Sequence, residues 1–281
     1  MKIKQRFSFC LVLMLVVVGL QKGSAQSSPK FDAQSGPPTM NELLQVHEKF
    51  VYEVKYGFFK LGKVYVDIVG DTLSRGVKTW HLQTIIKSNP GIPFVGREEN
   101  HYNSLMAVGK DGKPYTTVFW TDNVDEGEYN DTRYIFNRKE GKVYSFEKGE
   151  PKDTLNLEEP ASSGHIVFYF SRLFAGTHQS YRIPIYISHE KGYLTANNTT
   201  HTEEREYAAF DHPVKTYKSE GNADVDGPFG FRGKFTAWFG ADSLRLPLEA
   251  HVKVWLGHVK VRLIKYTRTT KYQPRNVSET Q

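Results

Sequence analysis

The clearest structural pattern in the chain is Phe50-Val51-Tyr52-Glu53-Val54-Lys55-Tyr56. Its aromatic and aliphatic residues occupy every second position, and Glu53 and Lys55 stand between them. Successive side chains of a β-strand point to opposite faces, so this period of two predicts a strand with one buried face and one solvated face.

The same alternation recurs in residues 64–68, 248–254 and 259–263, and Gly257 between the last two runs predicts a hairpin turn. Short connections favour antiparallel pairing, because parallel strands need long crossovers. We expect further strands near residues 79–88, 114–122, 130–137, 142–148, 181–188, 193–201, 214–220 and 233–239.

One segment breaks the pattern. If residues 162–174 form a helix, apolar side chains lie on nearly every side of it, which is typical of a buried helix. Ser162 or Ser163 can cap its start, and Gly176 can end it. A fully buried strand is the alternative. We predict a mainly β (α+β) fold, in which a curved antiparallel sheet or half-open β-barrel wraps around one apolar helix at about 162–175. A second, short helix is expected within residues 39–48.

The first 25 residues predict a cleavable secretory signal peptide. A basic start precedes an apolar run of about 14 residues and the small residues Gly23-Ser24-Ala25. An uncleaved anchor is the alternative, although the run is shorter than the roughly 20 residues of a membrane span. We expect a flexible leader at 26–45, one β-rich domain at 46–270, a polar tail at 271–281 and no later transmembrane segment. The protein would be exported, to the periplasm or outside a Gram-negative cell.

Cleavage after Ala25 would change the charge and the cysteine content. Removing four basic residues and no acidic one lowers the net charge from +6 to +2. This balance, without a dense Lys/Arg cluster along the sequence, argues against a nucleic-acid partner or a basic membrane-binding patch. Cys10 is the only cysteine, so the mature chain would have no disulfide or cysteine metal site.

No residue pattern specifies a reaction, and we predict no catalytic residue, cofactor or metal. The chain lacks the spacing of a zinc-protease helix, a calcium loop or a hydrolase nucleophile elbow. His201 and Glu203 can share a strand face, which is a weak metal-site pattern. His165 at the start of the apolar helix is interpreted as a capping or solvated residue.

Aromatic residues are abundant, with 18 Phe, 16 Tyr and 4 Trp. They can fill the core of a sheet or line an apolar cavity. If a cavity lies between the sheet and the helix, we expect five residues to line it: Tyr52, Phe168, Phe170, Phe174 and Trp238. The other tryptophans, Trp80, Trp120 and Trp255, are further candidates.

Three segments resemble the exported bacterial family known as domain of unknown function 3108. They are the strand that begins at Phe50, the apolar segment 165–173, and residues 238–250, which carry Asp242, Arg245 and Pro247 and are followed by Gly257. The resemblance covers about residues 50–266. The family has no assigned activity. Its architecture is similar to that of periplasmic lipoprotein carriers, whose half-open barrels hold acyl chains under a helix.

The resemblance therefore implies a binding or carrier module for an apolar or amphipathic envelope molecule, such as a lipid or an acylated peptide. An envelope assembly factor that acts through protein contacts is the alternative, and an enzyme acting on glycans or lipids is a third. For the motif, Asp242 can bond backbone amides in a turn, Arg245 can pair with it, and Pro247 can start an edge strand. Arg245 facing a ligand is the alternative interpretation.

Overall fold

A computed structural model of the protein describes residues 29–92, 98–125, 128–227, 231–253 and 257–269. The predicted signal peptide, the polar tail and Trp255 lie outside these ranges. In the part of the chain that is described, no helix is long and apolar enough to cross a membrane.

Fourteen antiparallel strands form one sheet, which confirms the β-rich prediction. The first half of the chain holds β1 His47–Tyr56, β2 Phe59–Ser74, β3 Val77–Ser88, β4 Glu98–Val108, β5 Pro114–Asp125, β6 Glu128–Asn137, β7 Lys142–Glu147 and β8 Glu150–Asn156. The second half holds β9 Ser180–Ile187, β10 Glu190–Arg205, β11 Val214–Gly227, β12 Phe231–Gly240, β13 Pro247–Lys253 and β14 His258–Thr269. Strands β4 and β8 were not predicted.

Within each half, every strand pairs with its neighbours in sequence, and the pairing of β1 with β14 joins the two halves. The spatial order is therefore β8 to β1 followed by β14 to β9, which leaves β8 and β9 at the two ends of the sheet. The edge strand β8 is mostly exposed and carries charged residues and a proline, features that discourage pairing with other chains.

The curvature of the sheet brings its ends towards one another around residues 157–179, which we call the inner segment. Ala161 accepts a backbone hydrogen bond from Thr116 of β5, at 2.9 Å. Ser162 exchanges backbone hydrogen bonds with β9, donating to Pro184 and accepting from Tyr186. The inner segment therefore bonds to strands from both halves of the sheet, and it covers the edge of β9.

The helix predicted at 162–175 is much shorter in the structure. Helix α2 spans Val167–Phe170 and continues as a single 3-10 turn, Ser171–Leu173. Ser162 cannot start a helix because its backbone is paired with β9, and Gly164 turns the chain at φ +95°. The apolar character of the segment indicated burial correctly, but part of it is extended chain.

Part of the segment predicted as a flexible leader packs against the domain. Helix α1, Met40–Leu44, begins with a capping box in which Thr39 and Glu42 bond each other's backbone amides. Met40 and Leu43 are each 1% exposed in the main core cluster. Phe31 packs edge-on against Phe210, with ring centroids 5.0 Å apart.

A buried charge cluster holds the inner segment against the sheet. Its members are Glu48 of β1, Arg172, Asp242 and Arg268 of β14. Nη1 of Arg172 lies 2.8 Å from Oε2 of Glu48, and both side chains are almost fully buried. Arg172 also donates from Nε to the carbonyl of Leu244 at 2.8 Å. Arg268 donates to Asp242 at 3.0 Å. The cluster thus joins the inner segment, β1, β14 and the β12–β13 turn.

We expect Arg172→Leu to lower the free energy of unfolding by roughly 3 kcal/mol, because it leaves the buried Glu48 carboxylate with only the more distant guanidinium of Arg268, whose Nε lies 3.7 Å from Oε1. Urea unfolding would measure the change. The double variant Glu48→Leu/Arg172→Leu should be the more stable of the two, since it removes both charges. A loss in the single variant no larger than that in the double variant would contradict this account.

Candidate functional site

The concave face of the sheet encloses a cavity of about 410 Å³ beside the inner segment. This volume lies within the range of small-molecule sites. The lining comes from eleven strands and the inner segment and is largely apolar: Tyr52, Val64, Val66, Thr84, Ile86, Tyr102, Phe119, Ser163, Gly164, His165, Val167, Phe168, Ser171, Tyr181, Ile185, Ile187, Leu194, Ser219, Ala223, Val225, Gly233, Phe235, Ala237, Trp238, Phe239, Pro247, Glu249, Ala250, Val252 and Val261.

Side-chain size explains why space remains there. On β1 to β5, large residues such as Phe119 and Ile86 line the concave face. On β11 to β13 the lining includes Ala223, Ala237 and Ala250. Short side chains opposite the inner segment leave volume that larger aliphatic residues would fill. The period of two that makes these strands amphipathic places this row of small residues on the concave face.

The two ends of the cavity differ. At the end where β1 begins and β14 finishes, the interior is filled by the main core cluster, which includes Met40, Leu43 and Leu246. Lining residues reach the other end of the sheet, where Gly233 and Val252 lie near the ends of their strands. Helix α1 and the β12–β13 turn therefore close one end, and the cavity extends towards the end that carries the β1–β2 turn.

A chain of polar side chains lies at the cavity wall beside the inner segment. Oγ of Ser104 lies 2.6 Å from Nε2 of His165 and 2.7 Å from Oγ of Ser163, which in turn lies 3.2 Å from the Thr116 hydroxyl. Thr116 also accepts from the Ser163 amide at 3.0 Å. Nδ1 of His165 is buried and has no hydrogen-bond partner among the described residues.

His165 is therefore a cavity-wall residue, not the helix-capping or solvated one that the sequence indicated. Burial lowers the pKa of its imidazole to about 3, and the neighbouring His81 opposes a second positive charge. Burial also lowers the pKa of His81. The ring of His165 is uncharged at neutral pH, so the cavity wall carries a neutral hydrogen-bonding group.

The Ser104–His165 distance falls within the range of a nucleophile and its general base. Two features argue against activation of the Ser104 hydroxyl by His165. Ser104 is fully buried, and an imidazole with a pKa of about 3 is a poor proton acceptor at neutral pH. Since no third described group bonds Nδ1, the ring also lacks the orienting partner of a catalytic triad. The pair is better suited to holding a polar group than to activating one.

Three of the five predicted cavity residues belong to its lining, although Trp238 follows Ala237 on β12 and its side chain therefore points to the opposite face of the sheet. Tyr52 donates its hydroxyl to the carbonyl of Pro247 at 2.8 Å, and Phe168 packs edge-on against Phe50 with centroids 4.9 Å apart. The indole N–H of Trp238 donates to Glu203, and the guanidinium of Arg205 lies 4.1 Å from the Trp238 ring centroid.

Phe170 and Phe174 do not line the cavity. Their rings lie 5.2 Å apart and pack with Tyr181 in a separate cluster against β9. Because α2 is short, these two side chains point to a different part of the interior from Phe168. Of the other tryptophans, Trp80 packs against the main core, and Trp120 lies 5.0 Å from the His81 ring.

The Asp-Arg-Pro motif forms part of the β12–β13 turn. Asp242 accepts from the amides of Leu244 and Leu246, as the turn interpretation predicts. The predicted pairing of Arg245 with the Asp242 carboxylate is wrong, because the carboxylate faces Arg268. Arg245 instead donates to backbone carbonyls, including that of Ala175 at 3.0 Å.

Pro247 begins β13, but this strand is central and not an edge, since it pairs with both β12 and β14. The missing N–H is tolerated because Pro247 is the first residue of the strand. Gly257 precedes β14 at φ +89°, a conformation that favours glycine.

Among the described residues, no group of three or more His, Cys, Asp or Glu side chains is arranged to hold a metal ion. Glu203 bonds Trp238 and lies 3.2 Å from Arg205. These contacts use the carboxylate that the His201–Glu203 metal pattern would require.

Comparisons with known proteins give a limited context. No family model matches the chain, and no curated protein matches it. A similar solved structure is titled "Crystal Structure of Beta-barrel-like Protein of Domain of Unknown Function DUF1849 from Brucella abortus". It shares 12% sequence identity, with a TM-score of 0.49, over 80% of this chain and 98% of that chain. Its family number differs from the one that the sequence resembles.

We expect the neutral state of His165 to make stability depend on pH. Below about pH 6.5 the His165 imidazole of the unfolded chain binds a proton, whereas the same imidazole in the folded protein stays neutral until about pH 3. The free energy of unfolding therefore falls as the pH falls through this window. His165→Asn should reduce the slope of the free energy of unfolding against pH by up to about 1.4 kcal/mol per pH unit. Urea unfolding across the window would measure it. His178→Asn, at an exposed position, is the control, and equal slopes in both variants would contradict the assignment.

Proposed function

We propose that this chain is a non-catalytic binding or carrier module for an apolar or amphipathic molecule, such as a lipid or an acylated peptide. The observation that carries the proposal is the cavity of about 410 Å³, lined largely by apolar side chains and closed at one end. Burying apolar ligand surface in such a cavity is favourable at roughly 25 cal/mol per Å².

The composition of the cavity wall favours an amphipathic ligand over a pure hydrocarbon. His165, Ser163 and Thr84 contribute polar groups to a wall that is otherwise mainly aliphatic and aromatic. A few polar groups in an apolar pocket orient a ligand. Because His165 is uncharged, it suits a hydroxyl, amide or protonated acid better than it suits an anion.

The expected location is the periplasm or the cell exterior, on the strength of the signal peptide predicted at residues 1–25. Envelope lipids and acylated peptides are available there. We also propose that the chain is a member of the domain of unknown function 3108 family. The three segments of sequence resemblance support this proposal.

Native mass spectrometry of the protein isolated from its own cells, followed by organic extraction, tests the proposal. We expect a stoichiometric added mass that extracts as a small amphiphile. A clean apo mass under conditions that preserve apolar complexes would contradict it, and would favour the alternative of an envelope factor acting through protein contacts.

A cavity-filling variant gives an independent test. Ala237→Phe adds a ring where the wall has only a methyl group, so it should weaken binding of the fluorescent fatty acid cis-parinaric acid by at least about tenfold. Ala208→Phe, on an exposed position, is the matched control. Equal affinity of both variants in a fluorescence titration would show that the probe binds elsewhere.

A further inference from the structure

Two aromatic side chains project from the turn between β1 and β2. Phe58 is 85% exposed and Phe59 is 37% exposed, and their ring centroids lie 4.3 Å apart. The other large hydrophobic residues exposed in the described part of the chain, Leu73 and Val77, flank the β2–β3 turn at the opposite end of β2. Two neighbouring rings exposed to water leave apolar surface solvated, which is unfavourable, and an exposed apolar patch marks an interaction site.

Lysines surround this turn on the outer face of the sheet. The strand register sets Lys55 of β1 opposite Lys260 of β14 and opposite Lys60 of β2. On the next strands, Lys63 stands opposite Lys87. Like charges directly opposite one another destabilise a sheet, so three such pairs in one area have no structural advantage.

The carboxylates in this area do not neutralise it. Glu53 bonds Lys55 at 2.7 Å and Lys60 at 2.9 Å, and Glu99 bonds Lys87 at 2.8 Å. Lys63 and Lys260 are exposed and make no ion pair with any described residue. Five lysines therefore face two glutamates, which leaves a positive surface.

The positive surface occupies one flank of the end of the sheet to which the cavity extends. Tyr56 at the end of β1 pairs with Val259 at the start of β14, next to Lys253 and the lining residue Val252. Acidic residues at the same end include Glu98 at the start of β4, Glu147 and Glu150 at the β7–β8 turn, Glu190 at the start of β10 and Asp224 near the end of β11. None of these residues lies on β1, β2, β3 or β14, the strands that carry the five lysines, so the positive flank is distinct.

We propose that Phe58, Phe59 and the five lysines form a docking surface for an anionic phospholipid bilayer. The aromatic pair enters the interfacial layer, where amphipathic and aromatic side chains are stabilised. The lysines lie against lipid phosphates, whose charge complements theirs. The surface is separate from the cavity residues and does not require the proposed cargo, but it would bring the cavity end close to a membrane.

Vesicle cosedimentation of the mature chain, which begins at Gln26 after the predicted signal peptide, tests the surface without the apolar run of that peptide. We expect binding to vesicles of phosphatidylethanolamine and phosphatidylglycerol, weaker binding to phosphatidylcholine vesicles, and loss of affinity as salt is raised. Phe58→Ser/Phe59→Ser should lower the partition coefficient by at least about tenfold. Lys55→Gln/Lys63→Gln/Lys260→Gln should abolish the preference for phosphatidylglycerol.

Matched controls lie at the β2–β3 turn, at the opposite end of β2. Leu73→Ser removes a residue that is 69% exposed, and Lys78→Gln removes an exposed lysine. Neither should change vesicle binding. All these positions are on the surface, so circular dichroism should show the wild-type fold in each variant.

A fluorescent dye attached to the β1–β2 turn tests directly whether this turn enters the bilayer. The mature chain has no cysteine, so Phe58→Cys and Leu73→Cys can each carry one environment-sensitive dye. We expect a blue shift on adding phosphatidylglycerol-containing vesicles for the label at 58 and none for the label at 73.

The proposal is overturned if the wild type does not bind these vesicles, if Phe58→Ser/Phe59→Ser binds like the wild type, or if Leu73→Ser loses as much affinity. Failure of the cavity function would look different. Phe58→Ser/Phe59→Ser should keep its affinity for cis-parinaric acid, and Ala237→Phe should keep its affinity for vesicles.

Discussion

The buried contact between Glu48 and Arg172 is the constraint on which the rest of the structure depends. Glu48 lies on β1, the strand that joins the two halves of the sheet through β14, and Arg172 lies on the inner segment. Two charges this deeply buried are favourable only as partners, so the inner segment has one position against the sheet. Arg268 and Asp242 extend the contact to β14 and to the β12–β13 turn. The closed end of the cavity is built on this cluster.

Beyond the closed end, side-chain size and the alternation of side chains along the strands determine where the cavity lies. Phe168 packs against Phe50 close to the charge cluster, while Ala223 and Ala237 leave space farther along the concave face. The hydrogen-bonded chain from Thr116 to His165 adds a neutral polar group to one wall. Burial lowers the pKa of this imidazole, so at neutral pH the wall presents an uncharged hydrogen-bonding group.

The sequence predicted most strands because their alternation is strong, and the two missed strands show where that signal fails. β4 carries Asn103 and Ser104 on buried positions, so its polar and apolar residues do not alternate. β8 is an exposed edge with no buried face. The apolar segment predicted as a helix was buried as expected, but pairing of Ser162 with β9 shortened its helical part. Phe170 and Phe174 accordingly lie away from the cavity wall where Phe168 lies.

By itself, the sequence determined the β-rich class, the antiparallel pairing and the candidate export signal, because these depend on local periodicity and composition. Only the tertiary structure decided which residues meet. Ser104 and His165 are far apart in the chain, and the lysines at 55, 63, 87 and 260 form no cluster in the sequence. The long-range pairing of β1 with β14 and the packing of the inner segment against the sheet bring them together, and neither local periodicity nor a turn sequence encodes these contacts.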